Sequence, residues 1–133
     1  MAISRLAVSQ PSSGTNTLIY TRTGSRVALA SVIATNLDTT DATIRVWVVP
    51  NGQDATPANH AVIAYDFPVA GTESFETFRF PLVSLDKVYV RASTSNISFI
   101  LSGIDNTAVA ETEFIAVQEK ANSKATHFLL MGA

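Results

Sequence analysis

VALASVIATN at positions 27–36, then LDTTD at 37–41, then ATIRVWVVP at 42–50, is the stretch that decides the fold. It reads as two short β-type runs with a cluster of turn-forming residues between them. Successive residues of a strand point to opposite sides, so each run also assigns faces. In 42–50, Ile44, Val46 and Val48 share one side, read as core, while Arg45, Trp47 and Val49 share the other. The run 27–36 is apolar on both faces, with Val27, Leu29 and Ile33 on one and Ala28, Ala30, Val32 and Ala34 on the other. That pattern suits a central strand covered on both sides.

Outward from this stretch the runs repeat, at 60–67, 72–80, 86–95 and 96–105, with turn signals at 51–52, 70–71 and 94–96. In 86–95, Val88, Val90 and Ala92 point inward, and Lys87, Tyr89 and Arg91 outward. In 96–105, Ile97, Phe99 and Leu101 alternate with Ser98, Ile100, Ser102 and Ile104. The polar triplet Thr94-Ser95-Asn96 favours a hairpin between those two strands. In 72–80, Phe78 and Phe80 share a face with Glu76, and Phe75 lies opposite. Runs this short and this regular predict an all-β fold, an antiparallel β-sandwich or jelly-roll-like domain of about eight strands.

The ends differ from the middle. Residues 1–25 read as an N-terminal strand or arm with Ile3, Leu6 and Val8, a turn at 10–14, and a second strand around Leu18-Ile19-Tyr20. The sandwich is assigned to 1–105 and an assembly tail to 106–133. In the tail Ala110, Phe114, Val117 and Ala121 fall on one helical face, with an extended arm as the alternative. The segment His127-Phe128-Leu129-Leu130-Met131 is too apolar to stay in water and is expected to pack on a neighbouring chain in preference to its own domain.

Composition points toward assembly. Charged residues make up 15% of the chain, below the usual share of about 25%, and 28 serines and threonines fill polar positions instead. Such a surface suits coverage by other subunits, since charges are depleted at interface cores. A net charge of −2 and nine basic residues, no two adjacent, predict no nucleic-acid partner. Zero cysteines exclude a disulfide scaffold and a thiolate zinc site. The start MAISR has no basic region followed by an apolar core, so no signal peptide is expected. No window approaches the roughly 20 apolar residues of a spanning helix, so no membrane partner is expected either.

Candidate chemistry is sparse. His60 and His127 stand alone, Glu73 and Glu76 would point to opposite sides of a strand, and Asp38 and Asp41 flank a Thr-Thr turn. No phosphate-binding glycine loop or nucleophile elbow occurs. No enzymatic activity, metal or cofactor is expected. The one binding hypothesis with residues behind it is a patch of Trp47, Tyr89, Arg45 and Arg91, able to stack on a sugar or a base. Two other readings of Trp47 are an intersubunit contact and a loop or terminus folded over it, the long loop at 51–59 being NGQDATPAN.

The run LASVIATNLDTTDATIRVWVVPNGQDATPANHAVIAYDFPV at 29–69, with ESFETFRFPLVSLDKVYVRASTSNISFILSGID at 73–105, has a specific look. It contains a strand ending in T-N, a strand ending in V-P-x-G, a loop containing A-N, and the pair D-K-V-Y-V-R-A-S and I-S-F-I-L-S-G-I-D. In these motifs, over residues 26–105, the chain resembles small β-sandwich virion structural proteins of tailed bacteriophages, most of all those of marine cyanophages. The resemblance implies a non-enzymatic structural protein, assembled in the host cytoplasm and located in the virion. It would be either a capsid decoration or cement protein, or a tail, baseplate or fibre-attachment component. The expected partners are other copies of the chain, a trimer being favoured, and other virion proteins. A carbohydrate-binding module that recognises a host surface glycan is the alternative. Candidate interface residues are Arg45, Trp47, Tyr89, Arg91, Phe114, Val117, Phe128, Leu129, Leu130 and Met131.

Overall fold

The alternation of the central runs becomes the two walls of a single core. In the computed structural model, residues 3–56 and 61–104 are described. Every regular element among them is a β-strand: β1 (Ser4–Ser9), β2 (Thr17–Thr21), β3 (Ala28–Asn36), β4 (Ala42–Val49), β5 (Ala61–Val69), β6 (Ser74–Glu76), β7 (Phe80–Leu82), β8 (Lys87–Ala92) and β9 (Ile97–Ile104). The expectations placed on residues 106–133, and on His60 and His127, lie outside the described residues.

One sheet has the order β1-β9-β3-β6, with β7 also pairing to β3, and the other has the order β2-β8-β4-β5. All pairings are antiparallel, and they are nested: β1 with β9, β2 with β8, β3 with β6 and β7, β4 with β5. The chain is therefore one long paired ribbon, wound so that β3 also meets β9 and β4 also meets β8. With β6 and β7 taken as one interrupted strand, this is an eight-stranded jelly roll.

Ala28, Ala30, Val32 and Ala34 of β3 and Ile97, Phe99 and Leu101 of β9 face Ile44, Val46 and Val48 of β4 and Val88, Val90 and Ala92 of β8. All are buried. Each larger side chain among them contributes about 1.5–3 kcal/mol. The β3–β9 and β4–β8 ladders run without a register shift. The outer strands do not. β1 shifts between Arg5 and Ala7, β2 between Leu18 and Tyr20, and β5 twice opposite β4. The shift in β1 turns Leu6 inward and leaves Ile3 and Val8 outside. A glycine is required at one place in the central ladder. Gly103 lies so close to β3 that a Cβ there would run into the Leu29 carbonyl.

One expectation is met in part and two are corrected. β3 is central, between β9 on one side and β6 and β7 on the other, and among the described residues only its inward face is covered. Leu29 is 42% exposed and Ile33 half-buried, because none of the described elements crosses that side. The run 72–80 is two strands. Thr77 accepts a hydrogen bond at its Oγ1 from the Val32 amide (2.9 Å) and donates its own amide to the Val32 carbonyl (2.9 Å). A side chain stands in for the ladder acceptor there, so Phe78 turns out and Phe80 in, and the two do not share a face. Finally, residues 94–96 form a corner, since β8 and β9 belong to different sheets. Their apolar sides face each other across the core, which a hairpin within one sheet cannot arrange.

That corner belongs to a polar junction at one end of the sandwich. The Asn36 Nδ2 donates to the carbonyls of Thr40 (2.8 Å) and Val69 (3.1 Å), and its Oδ1 accepts from the Asp38 amide (3.0 Å). The Asp38 carboxylate accepts from the Thr39 amide and from Asn96 Nδ2, and Asp41 accepts from the Gly71 amide. Both aspartates serve the turns.

Candidate functional site

The β4–β8 ladder brings four of the candidate residues together. Arg45 lies opposite Arg91 and Trp47 opposite Tyr89, in neighbouring steps of the same register. Like charges directly opposite each other destabilise a sheet, and here each arginine is given a partner. Arg91 donates from Nη1 to Asn16 Oδ1 (3.2 Å). Arg45 makes a two-pronged contact with Asp66, from Nε to Oδ1 (2.7 Å) and from Nη2 to Oδ2 (3.1 Å). Its guanidinium also sits 4.3 Å from the centre of the Tyr65 ring.

Tyr65 and Asp66 are the residues that alternation missed. Ile44 pairs with Phe67 and Val46 with Ala64, so two residues of β5 stand opposite Arg45 alone. This is a β-bulge, and Asp66 takes a positive φ of 50° within it. Aspartate tolerates that region better than most residues. The hydrogen bond from Arg45 holds the Asp66 carboxyl below the usual carboxylate range; desolvation opposes it, and the charges of Arg45 and Arg91 add to the lowering. The same bond raises Arg45 above its ordinary value. Gly14, Thr43, Arg45, Asp66, Arg91 and Ser93 line a polar groove of about 310 Å³ beside this cluster.

Trp47 takes no part in that open surface. It is fully buried in its own chain, stacked on Tyr89 with ring centres 5.6 Å apart and planes 16° apart. Its Nε1 donates to the Ala55 carbonyl (3.0 Å), so the loop after β4 closes over it. Of the three readings of Trp47, the covering loop is the one this geometry has. The indole face is not available to a sugar or a second subunit. The outward aromatic of this patch is Tyr65, which is 58% exposed.

The outer face of the other sheet is apolar in two rows. Val8, Ile100 and Ile33 stand side by side across β1, β9 and β3, and Leu29 and Ile104 form a second row. Between them lie Arg5, Ser102 and Ser31. A groove of about 180 Å³ at the second row is lined by Ile3, Leu29, Ser31, Glu76, Arg79 and Ile104. At the edge of this sheet, between β6 and β7, Phe78 stands 93% exposed. Phe114, Val117, Phe128, Leu129, Leu130 and Met131 lie outside the described residues. Among the described residues no three or more His, Cys, Asp or Glu side chains converge as metal ligands.

No protein-family profile matches this sequence, and no curated protein does. Among solved structures, the fold is similar to a chain in the structure of infectious bursal disease virus, Gx strain, at 10% sequence identity and a TM-score of 0.47. The match covers 80% of this chain and 33% of that one, so this chain spans about a third of its length. A likeness of that degree says nothing about function.

Proposed function

We propose that this protein is a non-enzymatic structural component of a tailed-phage virion, assembled in many copies through side-chain contacts. The observation that carries the proposal is a jelly roll that turns large apolar side chains outward, led by Phe78 at the broken edge and Val8 and Leu29 on the open sheet face. Exposed apolar side chains gathered in rows on one sheet face mark protein contact sites. Jelly rolls serve as viral capsid domains, lectins and cupins, so the fold alone does not choose among them. The resemblance of residues 26–105 to phage structural proteins favours the virion. The capsid surface and the tail or baseplate are the two stations it would fill, as a homo-oligomer, a trimer being favoured. Phe128–Met131 would pack against a neighbouring copy. Three or four such side chains, at about 1.5–3 kcal/mol each, offset the cost of ordering a terminal segment.

Light scattering on the purified protein tests the assembly. Deleting residues 123–133 should lower the assembled mass while circular dichroism still reports β-structure. An unchanged mass after the deletion refutes the role given to the tail. A similar measurement on Phe78→Ser should show weaker self-association with unchanged stability, and a map of the particle containing the chain would distinguish capsid from tail.

A further inference from the structure

Two arginines stand directly opposite each other on the β4–β8 ladder, and Asp66 gives both its oxygens to one of them, Arg45. The other, Arg91, is held by the neutral amide of Asn16 (3.2 Å), and among the described residues no carboxylate pairs with it. We propose that the polar groove beside Arg91 binds a sugar that carries a carboxylate, of the uronic acid type, with Arg91 taking the carboxylate and the Tyr65 ring stacking on the pyranose. The groove lies on the β2-β8-β4-β5 sheet, away from the apolar rows of the other sheet, so the proposal does not rest on how copies assemble.

Charge and access come first. Arg45 and Arg91 against Asp66 leave one net positive charge at the groove. A guanidinium offers five N–H donors in a planar fork that matches a carboxylate, and Asn16 takes only one of them, at Nη1. The groove wall beside the fork is Gly14, where a Cβ would stand 3.8 Å from Nη2. Its bare backbone leaves that edge of Arg91 open. Gly14 has a φ of 66°, which favours glycine, and its amide donates to the Ala92 carbonyl (2.8 Å), fixing the wall against the end of β8.

The rest of the groove suits hydroxyl groups. Ser93 Oγ accepts from the Thr43 amide (2.9 Å), so its own hydrogen is left to donate. Asp66 supplies an acceptor at the same groove. At the rim, the Arg45 guanidinium lies 4.3 Å from the centre of the Tyr65 ring, and that residue is 58% exposed. A ring braced on one face by a cation offers the other to the C–H face of a sugar. The stacking role that alternation gave to Trp47 falls here to Tyr65.

The lining also decides between a sugar and an acidic protein segment. Protein interface cores are apolar and depleted of charge, whereas the one apolar side chain lining this groove is the buried Ala92. Its volume of about 310 Å³ is at the lower end of the roughly 300–1,000 Å³ of small-ligand sites.

Titration calorimetry on the full chain tests the proposal, with short oligomers of galacturonate and of glucuronate, neutral maltotriose and the peptide triglutamate as probes. A uronate oligomer should bind saturably, and maltotriose and triglutamate at least about tenfold more weakly. Arg91→Gln should weaken uronate binding at least about tenfold, as expected for the loss of a hydrogen-bonded charge. Tyr65→Ala, at an exposed position, should weaken it several-fold with the urea midpoint unchanged. If Arg91→Gln does not fold, Arg91→Lys reads the same contact, because it keeps the charge and loses the fork. No saturable binding of either uronate at millimolar concentration overturns the proposal. Equal binding of maltotriose overturns the role of the carboxylate. Triglutamate binding as tightly as the uronates overturns the sugar and makes an acidic protein segment the ligand. Unchanged affinity in the Arg91 and Tyr65 variants overturns the site.

Discussion

Asn36 is 1% exposed, and its side chain ties the end of β3 to the turn that follows and to the last residue of β5, in the opposite sheet. Replacing it with alanine removes two donors and one acceptor at once. The Val69 carbonyl loses its partner in a buried place, at a cost of about 1–3 kcal/mol, while the exposed Thr40 carbonyl and the half-buried Asp38 amide regain water and cost about 0.5–1 kcal/mol each. Asn36→Ala should therefore lose about 2–5 kcal/mol, a large part of the roughly 5–15 kcal/mol that holds a domain together. Urea titration followed by Trp47 fluorescence should show a lower midpoint at unchanged slope. The melting temperature should fall by about 10–15 °C for a loss near 3 kcal/mol in a chain of this size. Asn36→Asp separates hydrogen bonding from packing. The new carboxyl would face two carbonyl oxygens, so its folded pKa lies above the unfolded value of about 3.9. Its stability is then fully present below that value and is lost as pH rises through the folded pKa. Relative to the parent protein, Asn36→Asp should be strongly destabilised at neutral pH and recover toward pH 4. A loss below about 1 kcal/mol for Asn36→Ala, or no recovery of Asn36→Asp in acid, would refute the account of this junction.

Trp47→Ala should cost about 3–5 kcal/mol by urea titration read with circular dichroism, and in the parent protein the indole should be shielded from acrylamide until unfolding. Asp66 has a lowered pKa, so the stability it adds is present above the unfolded value of about 3.9 and is lost as pH falls through the folded one. Asp66→Asn should accordingly flatten the difference in urea midpoint between pH 7 and pH 3. Gly103→Val, which drives a side chain into the Leu29 carbonyl, should lower stability by at least about 1–3 kcal/mol, read as a fall in melting temperature.

Strands with one wet face were legible because burial imposes a period of two on them. Val88, Val90 and Ala92, and Ile97, Phe99 and Leu101, are inside as their alternation requires. Alternation assigns a side but not what lies over it. Arg45 and Trp47 were on the expected face, yet whether a loop or a partner covers Trp47 depends on where Ala55 returns, which is a property of the folded chain. Tyr65 and Asp66 were hidden for a different reason: a bulge shifts every later residue to the other face, and β5 holds two shifts. The available signal was chemical, an acid on the neighbouring strand able to reach Arg45. The corner at 94–96 looked like a hairpin because the same polar triplet serves either. Only the long-range pairing of β9 with β1 and β3 tells them apart.

The contrast between regular central ladders and shifted outer strands constrains how copies of this protein meet. β1, β2 and β5 each carry a register shift, the strand that would complete the remaining edge is broken at Thr77, and Pro68 and Pro81 remove amide donors on those edges. A rim so irregular is a poor template for a further strand. Neighbouring copies would then not add strand to strand into one continuous sheet. They would dock as finished bodies, through surfaces that each copy completes before it meets another. If the protein assembles as proposed, that keeps the route to a closed particle apart from the route to a fibre.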